Sequence, residues 1–151
     1  MRVLGVVPSS SDMKWALVCG KRSEPTVLSL PAKTQKLPAD NVEGQALLKL
    51  LKLLLTFFHE QQVEKICILQ AGNNRFGGQS STRVKAEAVL QLAGAEANLP
   101  VELLSPQSLR AQEKKFPTQA GGSPEDILNN GQEFKPKPWR DAALTAWAGL
   151  D

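Results

Sequence analysis

Residues 3–30 read VLGVVPSSSDMKWALVCGKRSEPTVLSL, and this stretch decides the fold. Val3–Val7, Lys14–Cys19 and Thr26–Leu30 are short apolar runs. The gaps between them hold proline, glycine, serine and charged residues, which favour turns. Strands that are separated by such short turns pair antiparallel. The stretch therefore predicts a three-stranded antiparallel meander at the start of the chain.

Helical and strand patterns alternate downstream of a polar connection at residues 31–38. Asp40 is predicted to open a helix that runs to about Gln61, with Glu43 completing a capping box. The later predicted elements are a strand at Val63–Leu69, a helix at Ser81–Ala95, a strand at Val101–Leu104, a helix from Ser105 to about Lys115, a short helix opened by Ser123 and a last helix at Trp139–Leu150. This order predicts a single α/β domain over residues 1–151, with a mixed five-stranded sheet and helices on both faces.

The composition is that of a globular protein, with 42% hydrophobic and 22% charged residues. The net charge of +3 permits a polyanionic partner without requiring one. Cys19 and Cys67 stand in apolar runs and His59 is the only histidine, so a structural zinc site is not expected. The longest apolar stretch, Ala46–Phe58, is interrupted by two lysines and is too short to span a bilayer. The absence of a signal-peptide pattern predicts a cytoplasmic protein.

The predicted helix over residues 43–60 is rich in leucine. Its polar positions follow one another at steps of three and four residues, which places them on one narrow stripe: Gln45, Lys49, Lys52, Thr56, and His59 or Glu60. A helix of this kind buries most of its circumference. Packing on the sheet accounts for one side. The remainder is covered either by another helix or by a partner, and a homodimer is one such partner.

Five segments resemble the ribonuclease H-like superfamily, and within it the RuvC class of resolvases. LGVVPSS (Leu4–Ser10) is similar to the first-strand LGIDPGS of that class. ICILQAGNNRFGG (Ile66–Gly78), VKAEAVLQLAG (Val84–Gly94), VELLSPQSLR (Val101–Arg110) and WRDAALTAWAGL (Trp139–Leu150) resemble its later strands and helices. The resemblance is especially strong to a group of short uncharacterised bacterial RuvC-like proteins with a (K/R)FxGG loop, a (V/F)KxEAxxQL helix and a VELLSP strand.

The resemblance implies a catalytic site that this chain does not complete. RuvC-type nucleases hold two divalent metals on carboxylates from the first strand, the fourth strand and the last helix. The first-strand acid falls at Val7 and the fourth-strand acid at Gln70. Asp141 keeps a carboxylate on the last helix, but Leu144 stands where a second helix acid would lie. A catalytically degenerate module follows, with Asp141 as a vestigial acid and no metal or cofactor unless residual activity uses Mg²⁺ or Mn²⁺.

Two other acids are candidates to complete an atypical metal site. Asp12 follows the first strand, and it fits a turn residue equally well. Glu87 lies on a predicted helix, and it fits a solvated residue paired with Arg83 four positions earlier. Asp141 itself fits the first turn of a helix, where free N–H groups and the helix dipole favour an acid.

The candidate nucleic-acid contacts lie in and after the glycine-rich loop that follows a central strand. Such strand ends are where open α/β sheets bind ligands. Cations there suit phosphates and an aromatic ring suits base stacking. The candidate residues are Asn73, Asn74, Arg75, Phe76, Arg83 and Lys85. The alternative is a tight loop whose phenylalanine packs inward. A second basic group, which fits a solvated surface, consists of Arg110, Lys114, Lys115, Lys135, Lys137 and Arg140.

Three functions remain open from the sequence. The first is a non-catalytic RuvC-like module that binds DNA or RNA or serves as a subunit of a nucleoprotein complex. The second is a protein-interaction or dimerisation module that uses the leucine-rich helix over residues 43–60. The third is a divalent-metal-dependent endonuclease with an atypical acid set that includes Asp141.

Overall fold

The protein is built around one mixed β-sheet. A computed structural model describes residues 1–71, 81–118 and 122–151. Within these ranges the strands are β1 (Arg2–Pro8), β2 (Asp12–Lys21), β3 (Glu24–Leu28), β4 (Thr34–Lys36), β5 (Lys65–Leu69) and β6 (Val101–Leu104). β1, β2 and β3 are antiparallel, whereas β5 and β6 run parallel to β1, in the spatial order β3-β2-β1-β5-β6. The predicted meander and mixed sheet are confirmed.

Helices cover both faces of the sheet, as predicted. They are α1 (Glu43–Glu60), α2 (Ser81–Glu96), α3 (Pro106–Glu113), α4 (Pro124–Leu128) and α5 (Lys137–Ala148). Leu4 and Val6 of β1 lie in an apolar cluster with α1 and α2. Val3 and Val7 face the other way and pack with α5, since successive strand side chains alternate between faces. Within the described residues, no helix is both long enough and apolar enough to cross a membrane.

β4 is a strand that the sequence pattern did not predict. Residues 31–38 were expected to be a polar connection, but Thr34–Lys36 pairs antiparallel with Asp12–Lys14 of β2. β3 pairs only with the second half of β2, so β4 supplies backbone partners to the first half. Trp15 Nε1 also donates to the Ala32 carbonyl at 2.9 Å. The described part of the sheet has six strands rather than the five predicted, and the short polar sequence TQK carries no apolar alternation that would reveal the sixth.

The predicted capping box at the start of α1 is wrong. α1 begins at Glu43 with Val42 as its N-cap, and that cap makes no side-chain hydrogen bond. Asp40 instead accepts the Val42 N–H at 2.9 Å and pairs with Lys49 at 2.8 Å. An aspartate that bonds the backbone two residues on forms a local turn, and this turn competes with helix capping. The predicted Ser105 cap is confirmed, because its side chain accepts the Ser108 N–H at 3.1 Å.

Two glycines allow α5 to lie directly on the sheet. A Cβ placed on Gly5 of β1 would stand 2.0 Å from the Ala142 carbonyl oxygen and 2.5 Å from the Ala146 nitrogen. A Cβ on Gly149 would stand 2.4 Å from Cys67 Sγ and 2.9 Å from a methyl group of Val3. These contacts set the direction of α5. Its carboxyl end lies over the start of β1, and its amino end points towards the end of β1.

Candidate functional site

The three positions that the resemblance marks as acid sites lie at one end of the sheet. β1 and β5 are parallel with Val6 opposite Ile68, so Val7 and Gln70 follow at the carboxyl ends of neighbouring strands. Gln70 continues the ladder by donating its N–H to the Leu104 carbonyl at 2.8 Å. Since Ala142 lies over Gly5 and α5 runs opposite to β1, Asp141 lies towards the same end. We call this region the strand-end site.

A lysine lies beside Val7. Val7 and Lys14 are directly paired across β1 and β2, which puts both side chains on the same sheet face within about 5.5 Å between Cβ atoms. Lys14 Nζ donates to Asp12 Oδ2 at 2.8 Å. Asp12 Oδ1 also accepts from the Ser9 hydroxyl at 2.9 Å, and these hydrogen bonds, that from Lys14 foremost, lower the pKa of Asp12 against the effect of burial. Asp12 is therefore a turn residue held by Lys14.

An arginine lies beside Gln70. Arg83 Nη2 donates to the Leu69 carbonyl at 3.1 Å, one residue before Gln70. Its Nε lies 3.4 Å from Glu87 Oε1, so the i,i+4 pair predicted for Glu87 is present. Glu87 is only 7% exposed, which corrects its interpretation as a solvated residue. The guanidinium thus ties the start of α2 to the end of β5.

Asp141 lies in a half-buried setting. Burial raises the pKa of its carboxyl, the charges of Arg140 and Lys137 lower it, and Glu113 raises it. Among the described residues the carboxylate has no hydrogen-bond partner. α5 begins at Lys137, two residues before the predicted start, so Asp141 lies beyond the first turn. The expected first-turn position is therefore wrong, and helix-terminal N–H groups do not account for this acid.

Arg140 organises the neighbourhood of Asp141. Its guanidinium donates to Glu113 and to Glu125, and thereby joins α5 to α3 and α4. These two glutamates are consequently engaged with a cation of the protein itself. Arg140 belongs to the second basic group, and the structure gives it a tertiary role rather than the solvated one expected.

The residues at the strand-end site do not fit a pair of divalent ions. Over residues 1–71, 81–118 and 122–151, no group of three or more His, Cys, Asp or Glu side chains is placed to hold a metal. Leu144 is 1% exposed and belongs to the apolar core. Asp12 is engaged by Lys14 and Ser9, and Glu87 by Arg83. The two candidate replacement acids thus neutralise cations of the chain.

The predicted nucleic-acid contacts are only partly described. Asn73, Asn74, Arg75 and Phe76 lie outside the described residues. Arg83 is near the strand end, as expected, with the intramolecular partners given above. Lys85 lies one turn from the start of α2 and pairs with Glu43 at the start of α1.

Sequence analysis missed Lys14. The predicted second strand begins at this residue, but the apolar pattern says nothing about which residue of β1 it faces. The facing residue follows from the register of the β1–β2 hairpin. Because Pro8 pairs with Met13, the residue before Pro8 and the residue after Met13 also pair, and Lys14 lies opposite Val7.

The family described as Protein of unknown function (DUF3010) matches residues 1–148. The chain belongs to the DUF3010 family. No curated protein matches this DUF3010 chain. The family assignment covers nearly the whole sequence.

Solved RuvC structures share the fold of the DUF3010 chain. Thermus thermophilus RuvC superposes with a TM-score of 0.75 at 16% identity, covering 98% of this chain and 92% of RuvC. The same protein in complex with a Holliday junction substrate gives 0.72, with coverages of 98% and 91%. The yeast mitochondrial Holliday junction resolvase Ydc2 gives 0.64 at 17% identity, with coverages of 97% and 76%. The DUF3010 chain therefore has the ribonuclease H-like fold of the RuvC class.

Proposed function

We propose that this DUF3010 protein is a RuvC-like module that binds nucleic acid and does not cut it. The observation that carries the proposal is the strand-end site, where Val7 and Gln70 are neutral and Lys14 and Arg83 lie beside them. A lone half-buried carboxylate cannot hold two metals, since such sites need several oxygen ligands. Cations at a strand end instead favour a polyanion. The fold it shares with RuvC, which is known in complex with a Holliday junction, makes nucleic acid the expected partner.

The first test is the binding of labelled single-stranded, duplex and branched DNA and of RNA, measured by fluorescence anisotropy over a salt series. We expect the affinity to fall linearly with salt on a double-logarithmic plot. Replacing Arg75 and Lys85 together by alanine should weaken binding at least tenfold and reduce the salt slope by about 2. Lys85 suits this test because its ion pair with Glu43 is exposed and contributes little stability.

The matched control is the double variant Lys21→Ala, Lys52→Ala, which removes the same charge from exposed positions elsewhere. It should bind within about twofold of the wild type, since only distant charges change. Wild-type protein without affinity for any nucleic acid at low salt would refute the proposal. Cleavage in Mg²⁺ or Mn²⁺ that is lost in Asp141→Asn would refute its non-catalytic half and revive the atypical nuclease.

The second candidate function is a dimerisation or protein-interaction module. It rests on apolar surface along α1 and α2, where Leu48 is 40% and Leu92 is 55% exposed. Leu51 and Leu55 of α1 are only partly covered by the chain itself. Exposed apolar side chains on two helices that pack together offer a surface for a partner. The prediction that the helix over residues 43–60 binds a second copy therefore stays a proposal.

Sedimentation velocity at micromolar concentration tests the second candidate. A dimer that the Leu48→Glu, Leu92→Glu variant converts to a monomer would support it. The control is Val42→Glu, Ile127→Glu, which places the same charges on exposed apolar residues outside these helix faces. A wild-type monomer across the whole concentration range, with no co-purifying protein, would refute it.

A further inference from the structure

Each acid position of the strand-end site is accompanied by a cation of the chain. Lys14 lies across from Val7, and Arg83 reaches the carbonyl of Leu69 next to Gln70. Beside Asp141, Lys137 is close enough to lower the pKa of its carboxyl. A metal site concentrates negative charge so that it attracts cations, and this end of the sheet has lost that concentration.

These cations differ in how many donors their own chain uses. Arg83 and Arg140 bind acids and a carbonyl that connect secondary-structure elements, so their guanidinium groups have tertiary roles. Lys14 has one ion-pair partner, Asp12, and an ammonium group has three donors. Lys137 is exposed and has no ion-pair partner within the described ranges. Of these four cations, the two lysines have donors left for a ligand.

The two lysines lie at the same end of the sheet on its α5 face. Lys14 points to the face where Val7 packs with the α5 cluster, because paired residues of antiparallel strands share a face. Lys137 precedes Asp141 by one helical turn, which places it further towards the end of β1. Trp139, two residues after Lys137, lines one cavity together with Ala16, two residues beyond Lys14 on β2.

We propose that Lys14 and Lys137 bind a backbone phosphate of nucleic acid directly, where RuvC-type nucleases hold divalent ions. The inference rests on the proposed function and adds that no metal mediates the contact. Val7 and Gln70 remove the negative charges that would repel a phosphate at this position. A lysine ammonium is a compact charge that serves well as a phosphate ligand. Divalent ions would then act on binding as ordinary salt does.

Lys65 provides a matched control for Lys14. The Lys14 side chain is 17% exposed and pairs with Asp12 at 2.8 Å, whereas Lys65 is 22% exposed and pairs with Glu102 at 3.0 Å. Both are strand residues of the same sheet, and Lys65 lies opposite Val3 at the other end. Replacement by methionine removes one cation in either place. The variant Asp12→Asn, Lys14→Met guards against a fold defect from the unpaired aspartate.

The experiment measures nucleic-acid affinity by anisotropy at low salt, in EDTA and in millimolar Mg²⁺. We expect the wild type to bind at least as tightly in EDTA as in Mg²⁺ at matched ionic strength, because Mg²⁺ competes with the lysines for phosphates. Lys14→Met should weaken binding about tenfold and lower the salt slope by about 1, while Lys65→Met stays within about twofold. Lys137→Ala should reproduce the loss in Lys14→Met, and Lys14→Arg should retain affinity.

The outcomes separate the two proposals. A wild type that binds nucleic acid but needs Mg²⁺ would overturn the direct contact alone. Equal losses in Lys14→Met and Lys65→Met, or no loss when Asp12→Asn, Lys14→Met is correctly folded by circular dichroism, would overturn it as well. A wild type with no affinity at all would overturn the proposed function, and the phosphate contact with it.

Discussion

The two ends of the sheet differ in how completely their charged side chains are paired within the chain. Arg22 lies at the end away from the strand-end site, in the turn between β2 and β3. Its guanidinium donates hydrogen bonds to three other residues of the chain. Its Nε donates to the Leu150 carbonyl at 2.8 Å, Nη1 to Gln112 Oε1 at 3.0 Å, and Nη2 to the Ala148 carbonyl. Its guanidinium carbon lies 5.2 Å from the ring centroid of Trp147, whose Nε1 donates to the Arg22 carbonyl at 3.0 Å. This end is closed by internal contacts.

Fewer of the charged side chains at the strand-end site have partners within the chain. Within the described part of the chain, the carboxylate of Asp141 has no hydrogen-bond partner and Lys137 has no ion-pair partner. A fold needs each buried polar group to be satisfied, but it has no need of exposed charges without partners. Within the described part of the chain, charge therefore maintains the tertiary structure at both ends, through Arg22 at one and through Arg83 and Arg140 at the other. The strand-end site differs in that the side chains of Asp141 and Lys137 are left without a hydrogen bond or ion pair there.

The largest expected effect on stability comes from removing the guanidinium of Arg22. Arg22→Ala removes three charged hydrogen bonds and leaves the carbonyls at the end of α5 without this donor, so the free energy of unfolding should fall by about 3 kcal/mol. Urea denaturation measures the change. Lys21→Ala in the same turn is the control and should cost less than about 0.5 kcal/mol, because that side chain is exposed. A loss below about 1 kcal/mol for Arg22→Ala would contradict the closure of this end.

A smaller effect is expected from the ion pair at the strand-end site. Lys14 lowers the pKa of Asp12 from its ordinary value of 3.8, so the carboxylate stabilises the fold above that value. Asp12→Asn should therefore cost about 1 kcal/mol at pH 7, and the cost should shrink as the pH falls from 3.8 through the lower pKa of the folded protein, below which the wild-type carboxyl is protonated in both states. Urea denaturation from pH 3 to 7 tests this. A difference from the wild type that stays constant with pH would show that the charge of Asp12 is not the cause.

The smallest effect has the opposite sign. Burial raises the pKa of Asp141 above its ordinary value of 3.8, so its carboxylate costs stability once the pH exceeds the pKa of the folded protein. Asp141→Asn should raise the free energy of unfolding by about 0.5 kcal/mol at pH 7. The gain should vanish below pH 3.8, where both states bind the proton. The same denaturation series measures it, and a loss of stability at pH 7 would indicate a stabilising partner for the carboxylate.

Sequence patterns predicted most of the fold because apolar periodicity and turn residues report on burial. They failed where backbone pairing or a local turn decided the outcome. β4 consists of polar residues on a sheet edge, and its pairing with β2 leaves no apolar signal. Aspartate is a residue type that often caps helices, but Asp40 closes a turn with Val42 before α1 begins.

At the candidate site, the amino-acid sequence is enough to give the charge of the side chains at positions 7, 70 and 141. Val7 and Gln70 are uncharged and Asp141 is an acid in any conformation, so the absence of carboxylates at residues 7 and 70 needs no coordinates. The charged side chains that lie next to these positions are known from the tertiary structure. Lys14 faces Val7 through strand register, and Arg83 reaches Leu69 through the placement of α2. Register and helix placement arise from contacts between segments that are distant along the chain, which a linear pattern does not contain.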